Sequence, residues 1–316
     1  MKLLVTVAWD PAHLDALRAE FPQVRFITAL TAEDEAREIG DADAVFGHLR
    51  RDSARAARRL RWVQCQGAGV EELAAIPELV NADIAVTNTR GAHAATIAEH
   101  AMGMLVFLAR GFRTIEEANR RREWLRPLGY DPVGLSGLTM GIVGYGRIGA
   151  AIGRRAYGFE MDVIAVDAHP VAREEWVSAF WLLDGLDELL RRADVVAVTV
   201  PLTPSTRNLL DARRLALMKA SAYLLAVSRG GIIDEVALAD MLREGRLAGA
   251  GLDVQEQKPV PPESPLWDVP NLLITPHCAG QSRQTTAAAT DVLRRNLRHY
   301  LAGEPLENPV DLRRGY

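Results

Sequence analysis

An arginine within Ser228-Arg229-Gly230-Gly231 and a histidine within Thr275-Pro276-His277 are the side chains of this chain best suited to chemistry on a small organic anion. A guanidinium is planar and permanently charged, so Arg229 can hold a carboxylate bidentately and stabilise charge developing on a neighbouring oxygen. An imidazole titrates near neutrality, so His277 can deliver or accept a proton there. Each also has an ordinary explanation when taken alone, a structural salt bridge for Arg229 and a packed side chain for His277. A third segment narrows the choice. Met140-Gly141-Ile142-Val143-Gly144-Tyr145-Gly146-Arg147-Ile148-Gly149 is an apolar run leading into GxGxxG. In such a turn Gly144 would allow the tight bend, Gly146 would let a pyrophosphate reach the backbone, and Gly149 would let the following helix pack on the strand. Asp167 closes the next apolar run eighteen residues after Gly149. A carboxylate there binds ribose hydroxyls and repels a 2′-phosphate, which favours NAD over NADP. His169, two residues on, reads as a solvated loop histidine.

Groups so far apart in sequence need a rigid frame. Short apolar runs recur at 3–8, 44–47, 62–65, 84–87, 140–143, 163–166, 195–200, 223–227 and 272–275. They are apolar throughout rather than alternating, the pattern of parallel strands buried on both faces, and they are separated by helical patterns; the chain is α/β. Pro201, Ser228, Arg229 and His277 all follow such runs, and Asp253 lies in Gly251-Leu252-Asp253-Val254, also read as a strand end; open α/β sheets bind ligands at such ends. Asp10 and Pro11 mark the start of a helix over 12–20. Longer helices are expected from Ala94 to Arg110 and from Ser282 to Leu301, the latter stopping before Gly303. A helix is expected from Ala150 to Tyr157 after the glycine-rich turn.

Bulk properties agree. The 316 residues suit two domains, 48% are hydrophobic and 25% charged, and the net charge is −4, which argues against nucleic acid as a partner. The arginine clusters around Arg50, Arg58 and Arg120 read as solvated helix faces. Cys65 and Cys278 lack CxxC spacing and fit a reducing, cytoplasmic setting. The opening residues read as a strand interrupted by Asp10-Pro11, and no stretch reaches membrane-spanning length. His13, His48, His93, His100 and His299 show no metal-ligand spacing, so no metal is inferred. A nucleoside-cofactor methyltransferase would share the glycine-rich turn but gives no reason for Arg229 and His277.

In combination, GAGV at Gly67 to Val70, TIAEH at Thr96 to His100, GYGRIG at 144–149, SRGGIIDE at 228–235 and PLWDVPNLLITPH at 265–277 closely resemble the D-isomer-specific 2-hydroxyacid dehydrogenase family, over 62–308. Together with the pattern above, the resemblance implies two doubly wound parallel-sheet domains: a central Rossmann NAD-binding domain, 101–278, inserted in a discontinuous flavodoxin-like substrate domain, 1–100 and 279–316. It implies hydride transfer between NAD(H) and a small 2-keto or D-2-hydroxy acid such as glyoxylate or hydroxypyruvate, and a homodimer. Arg229 and His277 would be catalytic. Gly67, Ala68 and Gly69 would bind the substrate carboxylate through their amides. Thr96, Arg147, Ile148, Pro201, Ser228 and Asp253, with Val227 and Gly280 beside them, would line the dinucleotide.

One position departs from the pattern. Family members usually carry a glutamate, just before a proline, that pairs with the catalytic histidine; this chain has Lys258. An ammonium there disfavours the imidazolium that a carboxylate would favour. Three outcomes follow: Glu256 takes the role, Lys258 turns to solvent and water serves, or catalysis is weak and the protein is chiefly an NAD(H)-binding sensor. The first two are the expected ones. Ala226 and Gln255 also stand where the family commonly has Asn and Phe, which blurs the substrate.

Overall fold

A computed structural model describes residues 1–313. Its strands, in chain order, are β1 (Lys2–Val5), β2 (Arg25–Thr28), β3 (Ala44–Phe46), β4 (Trp62–Gln64), β5 (Ala85–Thr87), β6 (Thr139–Val143), β7 (Asp162–Asp167), β8 (Val177–Leu182), β9 (Val195–Val198), β10 (Tyr223–Ala226), β11 (Gly249–Leu252) and β12 (Leu272–Ile274). A five-stranded sheet has the order β2-β1-β3-β4-β5 and a seven-stranded sheet the order β12-β11-β10-β9-β6-β7-β8. Every pairing between these strands is parallel. The first is the flavodoxin-like order and the second the Rossmann order, with the reversal at β6.

The continuous apolar runs are explained by burial on both faces. Along β6, β7 and β9, Met140, Ile142, Val163, Ala165, Val195 and Ala197 enter one core layer. Their neighbours Val143, Ile164, Val166, Val196 and Val198 enter the layer on the opposite face. In the smaller sheet Leu4, Val45 and Val63 face one side while Leu3, Val5, Phe46 and Trp62 face the other. Each fully buried Leu, Val or Ile contributes about 1.5–3 kcal/mol relative to exposure.

Three strands lie outside the runs singled out from sequence. β2 and β8 are sheet edges with partly exposed residues, so their sequences are not uniformly apolar. β11 is fully buried, but its Gly-Ala-Gly-Leu sequence has almost no side-chain pattern to read.

The chain divides into one unit of Met1–His93 with the segment from Gln281 onward, and another of Ala94–Gly280. The divisions at 93/94 and 280/281 replace those expected at 100/101 and 278/279. Ala94–Ala109 is a single helix, and it buries Ala98, Ala101, Met102, Met104 and Leu105 in the core layer of Met140 and Ile142, so its first turns go with the central sheet. Ala279 donates its amide to the Asp253 carboxylate and stays with that unit too.

Helix ends follow their caps. Asp10 accepts from Ala12 N at 2.9 Å and Pro11 is the first residue of the helix Pro11–Glu20. Ser282 accepts from Thr285 N at 3.0 Å to start Arg283–Ala302, which stops at Gly303 with φ 70°. No helix among the described residues is long and apolar enough to cross a membrane.

Candidate active site

The glycine-rich turn runs straight into the helix Arg147–Gly158, with Gly146 as its N-cap. The helix therefore starts three residues before Ala150, the position expected from sequence, and Arg147 and Ile148 supply first-turn amides at its positive end. Gly144 has φ +95°; a Cβ on Gly149 would stand 2.1 Å from the Gly144 carbonyl oxygen, whereas one on Gly146 would meet nothing within 4 Å. The turn is thus closed where the helix packs and open where a phosphate would approach. Thr199 Oγ1 donates to the Gly144 carbonyl at 2.5 Å and ties the turn to the end of β9.

Asp167, at the end of β7, lies over the same turn: Oδ2 accepts from Tyr145 N at 2.8 Å and Oδ1 from His169 N at 3.1 Å. His169 itself is exposed. Farther along the strand ends, the Pro201 carbonyl accepts from Thr206 Oγ1 at 2.6 Å, and Val227 is buried. Ser228 Oγ is buried without a hydrogen-bond partner, a hydroxyl that a bound polar ligand would satisfy. Thr96 lies in the first turn of Ala94–Ala109, and Gly280 ends the unit, half-buried. The open turn, the carboxylate beyond it and the orphaned hydroxyl fit a dinucleotide.

Arg229 follows β10, and its Nη1 donates to the Ser228 carbonyl at 2.8 Å. The next residue, Gly230, is pressed against the loop after β11, where a Cβ would stand 2.0 Å from the Gln255 carbonyl oxygen. That same loop carries Lys258, whose Nζ is 3.0 Å from His277 Nδ1. A single loop therefore touches both the Arg229 segment and the His277 ring. His277 has φ +54°. Its loop is held by Asp253, 1% exposed, which accepts from Thr275 Oγ1 at 2.6 Å, Cys278 N at 2.9 Å and Ala279 N at 2.9 Å. Asp253, expected from sequence to line the dinucleotide, bonds to residues on both sides of His277 in this loop.

His100 Nε2 meets Thr275 Oγ1 at 2.9 Å and extends the network. The polar atoms of His100, Asp253 and Cys278 come within 4.8 Å of one another, a proximity that sequence spacing did not show. Burial, then the Asp253 charge, pushes the Cys278 thiol up. Hydrogen bonds through Thr275 and the Cys278 amide join the three residues.

Neither expected arrangement around Lys258 is present. Glu256 does not reach His277: its Oε1 pairs with Arg207 Nη1 at 3.0 Å and its amide donates to Glu235 Oε1 at 2.6 Å. Lys258, although exposed, turns to the histidine rather than away from it. A cis peptide joins it to Pro259.

Gly67, Ala68 and Gly69 belong to the other unit, after β4. The Gln66 carbonyl accepts from Thr89 Oγ1 at 2.6 Å, that of Gly67 from Thr89 N at 3.1 Å and that of Ala68 from Asn88 Nδ2 at 2.8 Å. The carbonyls are thereby tied down, and a Cβ on Gly67 would meet nothing within 4 Å. His48 sits beside this loop between Gln66 Nε2, at 2.9 Å, and Glu72 Oε2, at 3.3 Å.

Residues 102–279 match the NAD-binding domain of D-isomer specific 2-hydroxyacid dehydrogenases. The chain belongs to that family. Over 318 aligned residues it is 33% identical to a D-3-phosphoglycerate dehydrogenase of Methanocaldococcus jannaschii, covering 99% of this chain and 60% of that protein, so the chain spans about three fifths of that relative's length. A glyoxylate reductase of Korarchaeum cryptofilum is 36% identical over 81% of this chain and 77% of its own. The crystal structure of a D-isomer specific 2-hydroxyacid dehydrogenase family protein from Aeromonas salmonicida superposes with a TM-score of 0.89 at 31% identity, covering 98% of this chain and 99% of that one.

Where the family pattern has a glutamate, this chain places Lys258 against His277. Sequence reasoning found Lys258 but not its contact. It also missed Thr199 and Thr206, whose only signal was hydroxyls following β9, and the bonds of Asp253 around His277, whose signal was an acid closing a strand too buried to be solvated.

Proposed function

We propose that the protein is an NAD(H)-dependent reductase of small 2-keto acids such as glyoxylate or hydroxypyruvate, yielding D-2-hydroxy acids. The observation that carries this reading is the loop after β11, which touches both the Arg229 segment beyond β10 and the His277 ring beyond β12, the strands on either side of β11. The glyoxylate reductase among its relatives supports the substrate class. The uncompensated carboxylate of Asp167 supports NADH over NADPH.

Reduced nicotinamide, when bound, supplies the hydride. Arg229 grips the carboxylate and the keto oxygen and lowers the cost of the charge that develops there. The amides of Gly67, Ala68 and Gly69 are further ligands for the carboxylate in this reading, since glycine lets a backbone come close. His277 brings a proton to the carbonyl oxygen.

The test is NADH oxidation by a panel of 2-keto acids. Glyoxylate or hydroxypyruvate should turn over, and Arg229→Ala should lower kcat/KM by about 10²-fold or more. Undiminished turnover in that variant rejects the role of Arg229. No oxidation of NADH or NADPH with any acid of the panel would leave only a dinucleotide-binding protein.

A further inference from the structure

His277 and Lys258 follow adjacent strands, β12 and β11, and meet through Nδ1 and Nζ at 3.0 Å. With Lys258 as an ammonium, Nζ donates to Nδ1 and the neutral ring holds its proton on Nε2. The positive charge beside the ring also opposes a second proton on it. A proton must nonetheless reach the substrate oxygen as hydride adds to carbon.

We propose that Lys258 is the proton source, acting through His277 as a positioning and relay residue; this rests on the reductase reading above. As the carbonyl oxygen gains charge, the Nε2–H bond breaks and the new O–H bond forms, while Nδ1 takes a proton from the ammonium. The hydride's electron pair, from reduced nicotinamide, ends in the new C–H bond. Lys258 is left as a neutral amine and His277 as the Nδ1–H tautomer. Because Lys258 is exposed, one proton from water restores the pair after product leaves: Nε2 gains it as Nδ1 returns its own to the amine.

The charges around the pair support an ammonium. Glu235 lies close enough to feel Lys258: burial pushes its carboxyl up, while the hydrogen bond from the Glu256 amide and the Lys258 charge oppose this. Glu256 is shared with Arg207. On the far side of the His277 loop, Asp253 is occupied by the loop's own donors. Oxidation needs Lys258 as the amine, so in the relay the oxidative rate rises with pH while reduction draws on the ammonium.

The pH dependence of kcat/KM separates this from a structural role. For glyoxylate reduction with NADH, the wild type should stay level from about pH 6 to about pH 9, and oxidation should climb about tenfold per unit towards pH 10. Lys258→Met should lose reductive kcat/KM about tenfold per unit above about pH 6.5, the imidazole range. Lys258→Glu should begin its fall later, since a carboxylate favours imidazolium. A wild type that falls through the imidazole range, or a Lys258→Met profile as level as the wild type, overturns the relay while leaving the reductase reading intact. Nitrogen-15 NMR of His277 decides the pair without turnover: the neutral Nε2–H form should persist below pH 6 in the wild type and titrate near 6.5 in Lys258→Met. A wild-type ring that is imidazolium at pH 6, or protonated on Nδ1, also overturns it. Absence of turnover at every pH together with the expected tautomer would sink the reductase reading alone.

Discussion

Gly230 lies so close to Gln255 that a Cβ on it would stand 2.0 Å from the Gln255 carbonyl oxygen and 2.5 Å from the Glu256 nitrogen. Both are backbone atoms, so no rotamer change relieves the overlap; one of the two loops must move. Arg229 rides on the first loop and Lys258 on the second.

Gly230→Ala should therefore separate the Arg229 segment from the loop that reaches His277. Expected are a loss of about 10²-fold in kcat/KM, the scale of a misplaced reacting group, and about 1–3 kcal/mol of unfolding free energy from overpacking. Gly134→Ala, where a Cβ meets nothing within 4 Å, is the control and should change neither. Steady-state kinetics and urea midpoints check this; two variants that behave alike would dismiss the contact.

Asp253→Asn replaces an acceptor of three donors with a group that is itself half donor. At least one of Thr275 Oγ1, Cys278 N and Ala279 N then faces an NH₂. The cost should be about 1–3 kcal/mol for a buried group left unsatisfied. Because the loop carries His277, kcat should fall more than KM rises. A fall confined to NADH affinity would return Asp253 to the dinucleotide.

Asp167→Asn keeps an oxygen for Tyr145 N but removes the charge that repels a 2′-phosphate. The ratio of kcat/KM for NADPH to that for NADH should rise by about tenfold, the effect of about 1.4 kcal/mol, with little change in thermal midpoint. An unchanged ratio would mean that cofactor choice is made elsewhere.

Burial, then the charges of Glu71 and Glu72, pushes the Cys65 thiol up to about 12 from 9.0. A raised thiol pKa stabilises the folded state fully below pH 9 and loses that contribution as pH rises from 9 towards 12. At pH 8 that rise in pKa leaves about 10³-fold less thiolate than an ordinary cysteine, so iodoacetamide should label native Cys65 that much more slowly than the urea-unfolded chain. Mass spectrometry of timed samples reads the rate; labelling at the unfolded rate would contradict the burial.

What local pattern can carry was readable in advance. Continuous apolar runs meant parallel strands, because only burial on both faces removes the need for polar alternation. GxGxxG, Asp167, Arg229 and His277 each follow such a run, and a parallel sheet sends every strand end to the same edge. The Asp10 and Ser282 caps were equally local. Edge strands β2 and β8 were not readable because one neighbour and partial exposure leave no uniform pattern, and the unit boundary at Ala94 depended on which core the helix buries its face in.

Side-chain partnership lay beyond sequence altogether. Position 258 announced a lysine where a carboxylate is usual, and charge alone argued that it should avoid His277 or be replaced by Glu256. The fold decided otherwise: Arg207 holds Glu256, Gly230 and Gln255 fix the path of the loop, and adjacency of β11 and β12 brings Nζ to Nδ1. Such contacts depend on three-dimensional distances between segments that are remote in the chain, and the chain's own spacing carries no record of those distances.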